Sequence, residues 1–132
     1  MVKKATPVLM VAEIEPVLKF WVDRLGFAKT VEVPEGGKIG FVILQRGPVE
    51  LMYQSYSSAT SDAGAAIAAE LRKGSTFLYV EVDSLDHTLE AMKDLPKVMD
   101  VRTTFYGARE FAVKDPGGHF VTFAEMAGEP QK

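Results

Sequence analysis

Cysteine is absent from the 132 residues of this chain, and histidine occurs only twice. The lack of cysteine excludes disulfide bonds, thiolate zinc sites, iron–sulfur clusters and a cysteine nucleophile. Long apolar runs are also missing, since none approaches the roughly 18 residues of a membrane-spanning helix. The apolar run behind the basic start ends at Glu13, which is too short for a secretory signal. The sequence therefore predicts a cytoplasmic protein without a membrane partner.

The chain also lacks a strong excess of either charge. Its 15 Lys and Arg residues and 18 Asp and Glu residues are interspersed, and the formal net charge is -3. This balance argues against a nucleic-acid partner and only mildly favours a cationic ligand. Hydrophobic residues make up 47% and charged residues 25%, the composition of an ordinary globular protein. The length suits a single domain, residues 1–132.

What the sequence does contain is an internal repeat. The segment Val11–Leu18 aligns with Val82–Leu89, and Val49–Leu51 aligns with Val121–Phe123. In each half an extended apolar run leads into an amphipathic helix, and three strand-like runs follow the helix. Each half is therefore predicted to fold as strand, helix, strand, strand, strand.

The elements of each half can be placed from periodicity and turn residues. Extended runs at Pro7–Val11 and Phe77–Val82 precede the helices. The first helix is predicted over Ile14–Leu25, and the second begins after Ser84 as its N-cap. The later strands are predicted at Phe27–Val33, Ile39–Gln45, Val49–Gln54, Val98–Phe105, Arg109–Val113 and Phe120–Glu125.

The segment between the halves, residues 56–74, is predicted to be a linker. The polar stretch Ser55–Ser61 leads into it, and the Ala-rich stretch Asp62–Lys73, which has helix propensity, makes up most of it. We interpret the segment as a connector that carries one short helix. The first module then spans residues 5–55 and the second residues 75–126.

Two local motifs, Phe20–Phe27 and Tyr106–Gly118, carry a family resemblance. Together with the doubled unit they resemble the vicinal oxygen chelate superfamily of glyoxalase I, extradiol dioxygenases, and fosfomycin and bleomycin resistance proteins. Both motifs are most similar to the bleomycin resistance branch. The resemblance implies an α+β fold of two βαβββ modules with pseudo-twofold symmetry, each forming an open half-barrel cleft. It also implies a homodimer with its clefts at the subunit boundary.

Metal-dependent members of this superfamily take one ligand from the first strand and one from the last strand of each module. The resemblance places these positions at Thr6, Glu50, Phe77 and Thr122. Only the glutamate is a competent ligand, whereas a divalent ion needs three or four nitrogen or oxygen donors. His87 is expected to face solvent, and His119 to be a surface or strand-entry residue. We therefore expect no metal and no cofactor.

Strand alternation indicates which side chains share a face with the four positions that correspond to the superfamily's metal ligands. The shared face is largely apolar and aromatic with a few polar groups, which is typical of a small-molecule pocket. Its expected members are Thr6, Val8, Met10, Glu50, Met52, Gln54, Phe77, Tyr79, Glu81, Phe120, Thr122 and Ala124.

The bleomycin resistance proteins hold their drug between aromatic rings, and the corresponding positions here are Phe41, Tyr79 and Tyr106. All three are aromatic, although tyrosines replace the two tryptophans expected from the resemblance. Stacking contributes about 0.5–1.5 kcal/mol per ring pair beyond area burial. The alternative is that these rings are ordinary core residues. The hydroxyl of Tyr79 is expected to matter little for binding, so that Tyr79→Phe costs much less than Tyr79→Ala.

Glu50 is a carboxylate on an otherwise apolar face, and three interpretations stay open. It pairs with Arg46 or Arg109 or reaches solvent; it receives a cationic or hydroxyl group of a ligand; or it is a general base with a raised pKa. In the last hairpin, Arg109 and Glu110 lie on opposite faces, and an internal ion pair is the favoured role for that arginine.

Phe20 lies off the apolar stripe of the first helix, so it should be exposed in a monomer and covered in a dimer. No Ser-His-Asp arrangement, phosphate-binding loop or paired-carboxylate motif is visible, and no catalytic residue is assigned.

The favoured function is that of a metal-independent protein that sequesters an aromatic or cationic small molecule in a cleft at the dimer interface. The alternative is a lyase or isomerase of the superfamily, with Glu50 as base or metal ligand. The expected ligand-binding residues are Phe41, Glu50, Met52, Phe77, Tyr79, Tyr106 and Thr122.

Overall fold

A computed structural model describes residue 1 and residues 3–127 of the chain. The chain divides after Gly74 into two compact units. Each unit runs strand, helix, strand, strand, strand, and each builds one four-stranded mixed sheet. The α+β fold of two βαβββ modules is therefore confirmed. No helix within the described part of the chain is long and apolar enough to cross a membrane.

The sheet of the first unit has the order β1-β4-β3-β2. Strand β1 pairs in parallel with β4, and the two hairpins β2–β3 and β3–β4 are antiparallel. Gly36 and Gly37 form the turn of the first hairpin. Both have a positive φ, which residues other than glycine rarely adopt. The strands are Val8–Val11 (β1), Ala28–Glu35 (β2), Lys38–Arg46 (β3) and Val49–Ser55 (β4).

The helix of the first unit is only partly α-helical. It begins as α1, Glu15–Leu18, and continues as a π-helix over Lys19–Arg24. A π-helix bonds residue i to i+5, so each turn holds about one more residue than an α-helical turn. This shift brings Phe20 inside with 1% exposure, and the expectation that it is exposed was wrong.

Aromatic packing fixes this helix on the first sheet. The rings of Phe20 and Phe27 meet the indole of Trp21 edge-on, at centroid distances of 5.2 and 5.1 Å. The indole nitrogen donates to the hydroxyl of Tyr53 on β4, at 2.8 Å. Burying an indole is favourable only when its N–H finds a partner, and the tyrosine supplies it.

The predicted linker is more ordered than a connector with one short helix. Two helices, α2 (Tyr56–Ala63) and α3 (Ala65–Leu71), follow β4 directly, and the positive φ of Gly64 separates them. The hydroxyl of Ser55 caps α2 by accepting from the Ser58 amide. Met10, expected to line the cleft, is instead buried in a cluster with α2 and α3 residues. The two helices thus cover part of the sheet face opposite α1.

The second unit repeats the pattern with the sheet order β5-β8-β7-β6. Its helix α4, Leu85–Ala91, begins at Ser84, whose hydroxyl accepts from the His87 amide at 3.1 Å as the N-cap prediction required. Leu85 and Thr88 are buried. The strands are Phe77–Glu81 (β5), Lys97–Thr103 (β6), Arg109–Lys114 (β7) and Phe120–Glu125 (β8).

Three details of the second unit test the sequence predictions. Phe105 belongs to a turn and not to the end of β6, and it is almost fully exposed. His87 is exposed, as predicted. His119 does precede a strand but is buried, because its Nδ1 accepts from the Thr76 amide at 2.9 Å and its own amide donates to Asp115. The surface position considered for His119 was wrong.

Candidate functional site

Four predicted ligand-binding residues meet on one face of the second sheet, the face opposite α4, which we call the tyrosine face. Phe77 and Tyr79 alternate along β5, and Thr122 is the direct register partner of Tyr79 on β8. Tyr106 reaches the same place from the β6–β7 turn, with its hydroxyl oxygen 3.4 Å from that of Tyr79. The structure therefore brings these residues together, as alternation and the resemblance predicted.

The aromatic side chains of this face are accessible. Tyr79 and Tyr106 are each 51% exposed and Phe77 is 72% exposed, whereas Thr122 is buried. The ring of Phe77 lies beside Phe120, with centroids 5.6 Å apart. The face thus offers flat apolar area above a buried polar floor.

The floor is built around Glu110, a residue of β7 that is 1% exposed. Its Oε2 accepts hydrogen bonds from the hydroxyls of Tyr79 at 2.7 Å and Tyr106 at 2.9 Å. Its Oε1 accepts from Nε and Nη2 of Arg102 at 3.2 and 3.0 Å. A buried carboxylate is costly unless it is paired and hydrogen-bonded, and here both oxygens are. The four residues, which we call the Glu110 cluster, are thereby locked to one another.

Electrostatics in this cluster keep the charge on the glutamate. Burial alone would raise the pKa of Glu110, but hydrogen bonds from Tyr79, Tyr106 and Arg102 outweigh it, and the pKa lies below its ordinary value. The pKa of Tyr79 is raised above its ordinary value by its contact with Tyr106, by burial and by the nearby Glu110 charge. At neutral pH Glu110 therefore stays an ionised carboxylate and Tyr79 a neutral phenol.

Sequence reasoning missed Glu110 and Arg102. In the sheet Glu110 lies opposite Ala124 on one side and Arg102 on the other, and these residues share the face of Tyr79. The sequence did carry a signal for this arrangement. A lone Glu in the apolar strand Arg109–Lys114 needs a partner, and alternation would have pointed it toward the tyrosines.

The three remaining predicted ligand-binding residues lie on one face of the first sheet. Phe41 is the register partner of Gln54, Met52 of Ile43, and Glu50 of Gln45, and all three predicted residues are half-buried. Phe41 lines an open groove of about 460 Å³ between α2 and the sheet. The other lining residues are Val8, Val33, Glu35, Gln54, Ser58, Ser61 and Asp62. Met52 and Glu50 lie on this face outside the groove.

Glu50 is paired, but not with either predicted arginine. Its Oε1 contacts the Lys4 ammonium at 2.7 Å and accepts from the Thr6 hydroxyl at 3.0 Å. Arg46 instead donates to the Leu25 carbonyl, and Arg109 forms its ion pair with Asp86 at 3.4 Å. Lys4 and Thr6 hold the pKa of Glu50 below its ordinary value.

These contacts contradict one interpretation of Glu50. A general base needs a pKa near the working pH, and the Lys4 and Thr6 contacts move the pKa of Glu50 the other way. The role of a base with a raised pKa was therefore wrong for this glutamate.

The four positions at which the superfamily places metal ligands do not fit a divalent ion. In the first unit the oxygen of Glu50 nearest Thr6 is already held by an ammonium. In the second unit Phe77 has no donor, and Thr122 supplies at most a neutral hydroxyl. Within residue 1 and residues 3–127, no three His, Cys, Asp or Glu side chains are grouped so that they could hold a metal.

Solved structures share this architecture at low sequence identity. A lactoylglutathione lyase from Agrobacterium tumefaciens superposes with a TM-score of 0.73 at 16% identity, over 93% of this chain and 92% of that one. TioX from Micromonospora sp. ML1 gives 0.74 at 18% identity, over 96% and 100% of the two chains. Identities this low establish the fold alone.

A third structure, a glyoxalase/bleomycin resistance protein/dioxygenase from Nocardioides, gives a TM-score of 0.73 at 20% identity, over 100% and 91% of the two chains. No curated protein matches the sequence. The sequence profile of one family does match, over residues 5–123, which is most of the chain. The chain therefore belongs to the Glyoxalase/Bleomycin resistance protein/Dioxygenase superfamily.

Proposed function

We propose that the protein sequesters a small aromatic cation without chemical conversion, as the bleomycin resistance branch of the superfamily does. The observation that carries the proposal is the pair of half-exposed rings, Tyr79 and Tyr106, anchored through their hydroxyls to the buried Glu110. An anchored ring loses little conformational freedom on binding, so more of the contact energy remains as affinity.

The chemistry of the rings suits a planar cation. Rings stack on Tyr and Phe faces with a gain of about 0.5–1.5 kcal/mol per pair, and a cation over a ring adds about 0.5–2 kcal/mol. Phe77 and its neighbour Phe120 extend the aromatic area. One ligand that combines a ring and a positive charge would use all of these features.

The acidic and basic groups favour binding over catalysis. Tyr79 resists deprotonation because its pKa is raised, so it is a poor base or nucleophile at neutral pH. Glu50 is a weak proton acceptor because Lys4 and Thr6 lower its pKa. Capture of a ligand needs neither group to transfer a proton.

We also propose that the protein is a homodimer. Phe20 does not support this, since it is buried in its own unit. The support comes from the second unit, where Val98, Val101 and Phe105 are exposed large hydrophobic residues. Sedimentation equilibrium at micromolar concentration should give about twice 14.5 kDa, and a mass near 14.5 kDa would contradict the dimer.

Calorimetric titration with bleomycin and with a simple aromatic cation tests the binding function. Removing the ring in Tyr79→Ala should weaken binding by about 1–3 kcal/mol, the range expected for a buried aromatic side chain. Val49→Ala serves as a control, because Val49 is an exposed apolar residue of the first unit that belongs neither to the Glu110 cluster nor to the residues that support the dimer. Affinity that is unchanged in Tyr79→Ala would refute the tyrosine face as the binding site.

A further inference from the structure

The two tyrosyl hydroxyls of the Glu110 cluster have no proton left for a ligand. Each hydroxyl carries one proton and two lone pairs. Tyr79 and Tyr106 both donate their proton to the same carboxylate oxygen, Oε2 of Glu110. The opposite oxygen is held by Arg102, which carries only donors and therefore keeps that oxygen an acceptor.

The short distance between the two hydroxyls then has a definite meaning. Their oxygens lie 3.4 Å apart. With both protons directed at Glu110, the oxygens of Tyr79 and Tyr106 face each other as two acceptors. Their remaining lone pairs are complementary to an N–H group of a ligand, and they repel a carbonyl or carboxylate oxygen.

We propose that Glu110 is the specificity-determining residue of the tyrosine face: by holding both tyrosyl protons, it makes Tyr79 and Tyr106 an acceptor pair that selects ligands bearing an N–H donor beside an aromatic ring. This inference rests on the proposed function and narrows its ligand class to primary or secondary ammonium, amidinium and similar donors. Glu110 does not need to touch the ligand, because it acts through the orientation of the two hydroxyls.

The substitution Glu110→Gln should reverse this polarity. Arg102 has no acceptor, so the amide oxygen of the new side chain must face Arg102 and its NH₂ group must face the tyrosines. Tyr79 and Tyr106 then accept from the amide, and their own protons turn toward the ligand. The volume of the side chain is nearly unchanged, while the hydrogen-bonding character of the face is inverted.

Two probes of equal charge isolate this effect from general cation binding. One is 2-phenylethylammonium, which has three N–H donors, and the other is its N,N,N-trimethyl analogue, which has none. A hydrogen bond between charged and neutral partners is worth more than 1.4 kcal/mol, so the wild type should bind the primary ammonium at least about tenfold more tightly. The ratio to compare is the dissociation constant of the trimethyl probe divided by that of the primary ammonium. In Glu110→Gln this ratio should fall to about one or below.

Glu81→Gln is the matched control. Glu81 is an exposed carboxylate of β5 on the same face, so this variant removes the same formal charge without altering the tyrosines. It should weaken both probes by the same factor and leave their ratio as in the wild type. Where Glu110→Gln does not fold, Tyr106→Phe removes one of the two acceptors and should lower the ratio in the same direction.

The outcomes separate this inference from the proposed function. If the wild type binds both probes with equal affinity, or Glu110→Gln and Tyr106→Phe keep the wild-type ratio, the inference is wrong while the binding function stands. If the wild type binds neither probe at about 1 mM, a free energy weaker than about −4 kcal/mol, both are wrong.

Discussion

Removing the hydroxyl of Tyr79 should destabilise the second unit, although the ring it belongs to is half-exposed. The hydroxyl donates at 2.7 Å to Glu110, whose carboxylate is buried and ionised. In Tyr79→Phe the carboxylate keeps Arg102 and Tyr106 but loses one of its donors. Hydrogen bonds to charged groups are worth about 1.5–3 kcal/mol, and the partial exposure of Tyr79 places the expected loss near 1–2 kcal/mol.

Urea denaturation followed by circular dichroism measures this loss as a change in the free energy of unfolding. Tyr56→Phe is the control, since it removes a phenolic hydroxyl from a ring that packs on the Met10 cluster and beneath Arg72. The double variant Tyr79→Phe/Tyr106→Phe should lose more than the sum of the single variants, because both donors serve one oxygen. A loss below about 0.5 kcal/mol in Tyr79→Phe, or strict additivity in the double variant, would refute the structural account of the cluster.

Four further outcomes follow from the structure. The pKa of Glu110 is lower in the folded protein than in the unfolded chain. The stability that its charge contributes is therefore present above the ordinary carboxyl pKa and is lost as the pH falls through the folded pKa. In acid titration, the unfolding free energy of Glu110→Gln should depend less steeply on pH than that of the wild type. Phe20→Ala should cost about 3–5 kcal/mol of unfolding free energy, and sedimentation should show no change in subunit number. Lys4→Ala should raise the pKa of Glu50, which NMR titration of its carboxyl carbon would detect, and an unshifted midpoint would contradict the Lys4–Glu50 pair. Elemental analysis of protein purified without chelators should find no stoichiometric zinc, nickel, iron or manganese, since Phe77 offers no donor at its position.

The sequence repeat was sufficient to predict the fold, because the strands and the hairpin turns of each unit are marked by local sequence patterns. Period-two alternation marks the strands, and glycine with positive φ at Gly36–Gly37 marks a hairpin turn. Alternation also placed Tyr79 and Thr122 correctly on one face. The helix of the first unit was misread only at Phe20, because the 3.6-residue period assumes α-helical geometry and fails in a π-helix.

The candidate site was less predictable because its polar contacts join residues far apart in sequence. Glu50 finds Lys4, a residue of the segment before β1, and no periodicity of β4 points to that partner. Glu110 is reached by a hydroxyl from β5, a hydroxyl from a turn and a guanidinium from β6. The expectation that Tyr79→Phe costs much less than Tyr79→Ala concerned ligand binding alone. The structure adds a cost in stability, since the hydroxyl of Tyr79 satisfies a buried charge.

The hydrogen bond between Trp21 and Tyr53 makes tryptophan fluorescence a probe of the first unit. Trp21 is the single tryptophan of the chain, it is buried, and its indole nitrogen is held within the first unit. Tryptophan emission therefore reports on the folding of the unit that ends at Gly74, whereas ellipticity averages over the whole chain. Two different midpoints from these signals would show that the halves melt separately, and the tyrosine face could then be destabilised while the emission of Trp21 stays native.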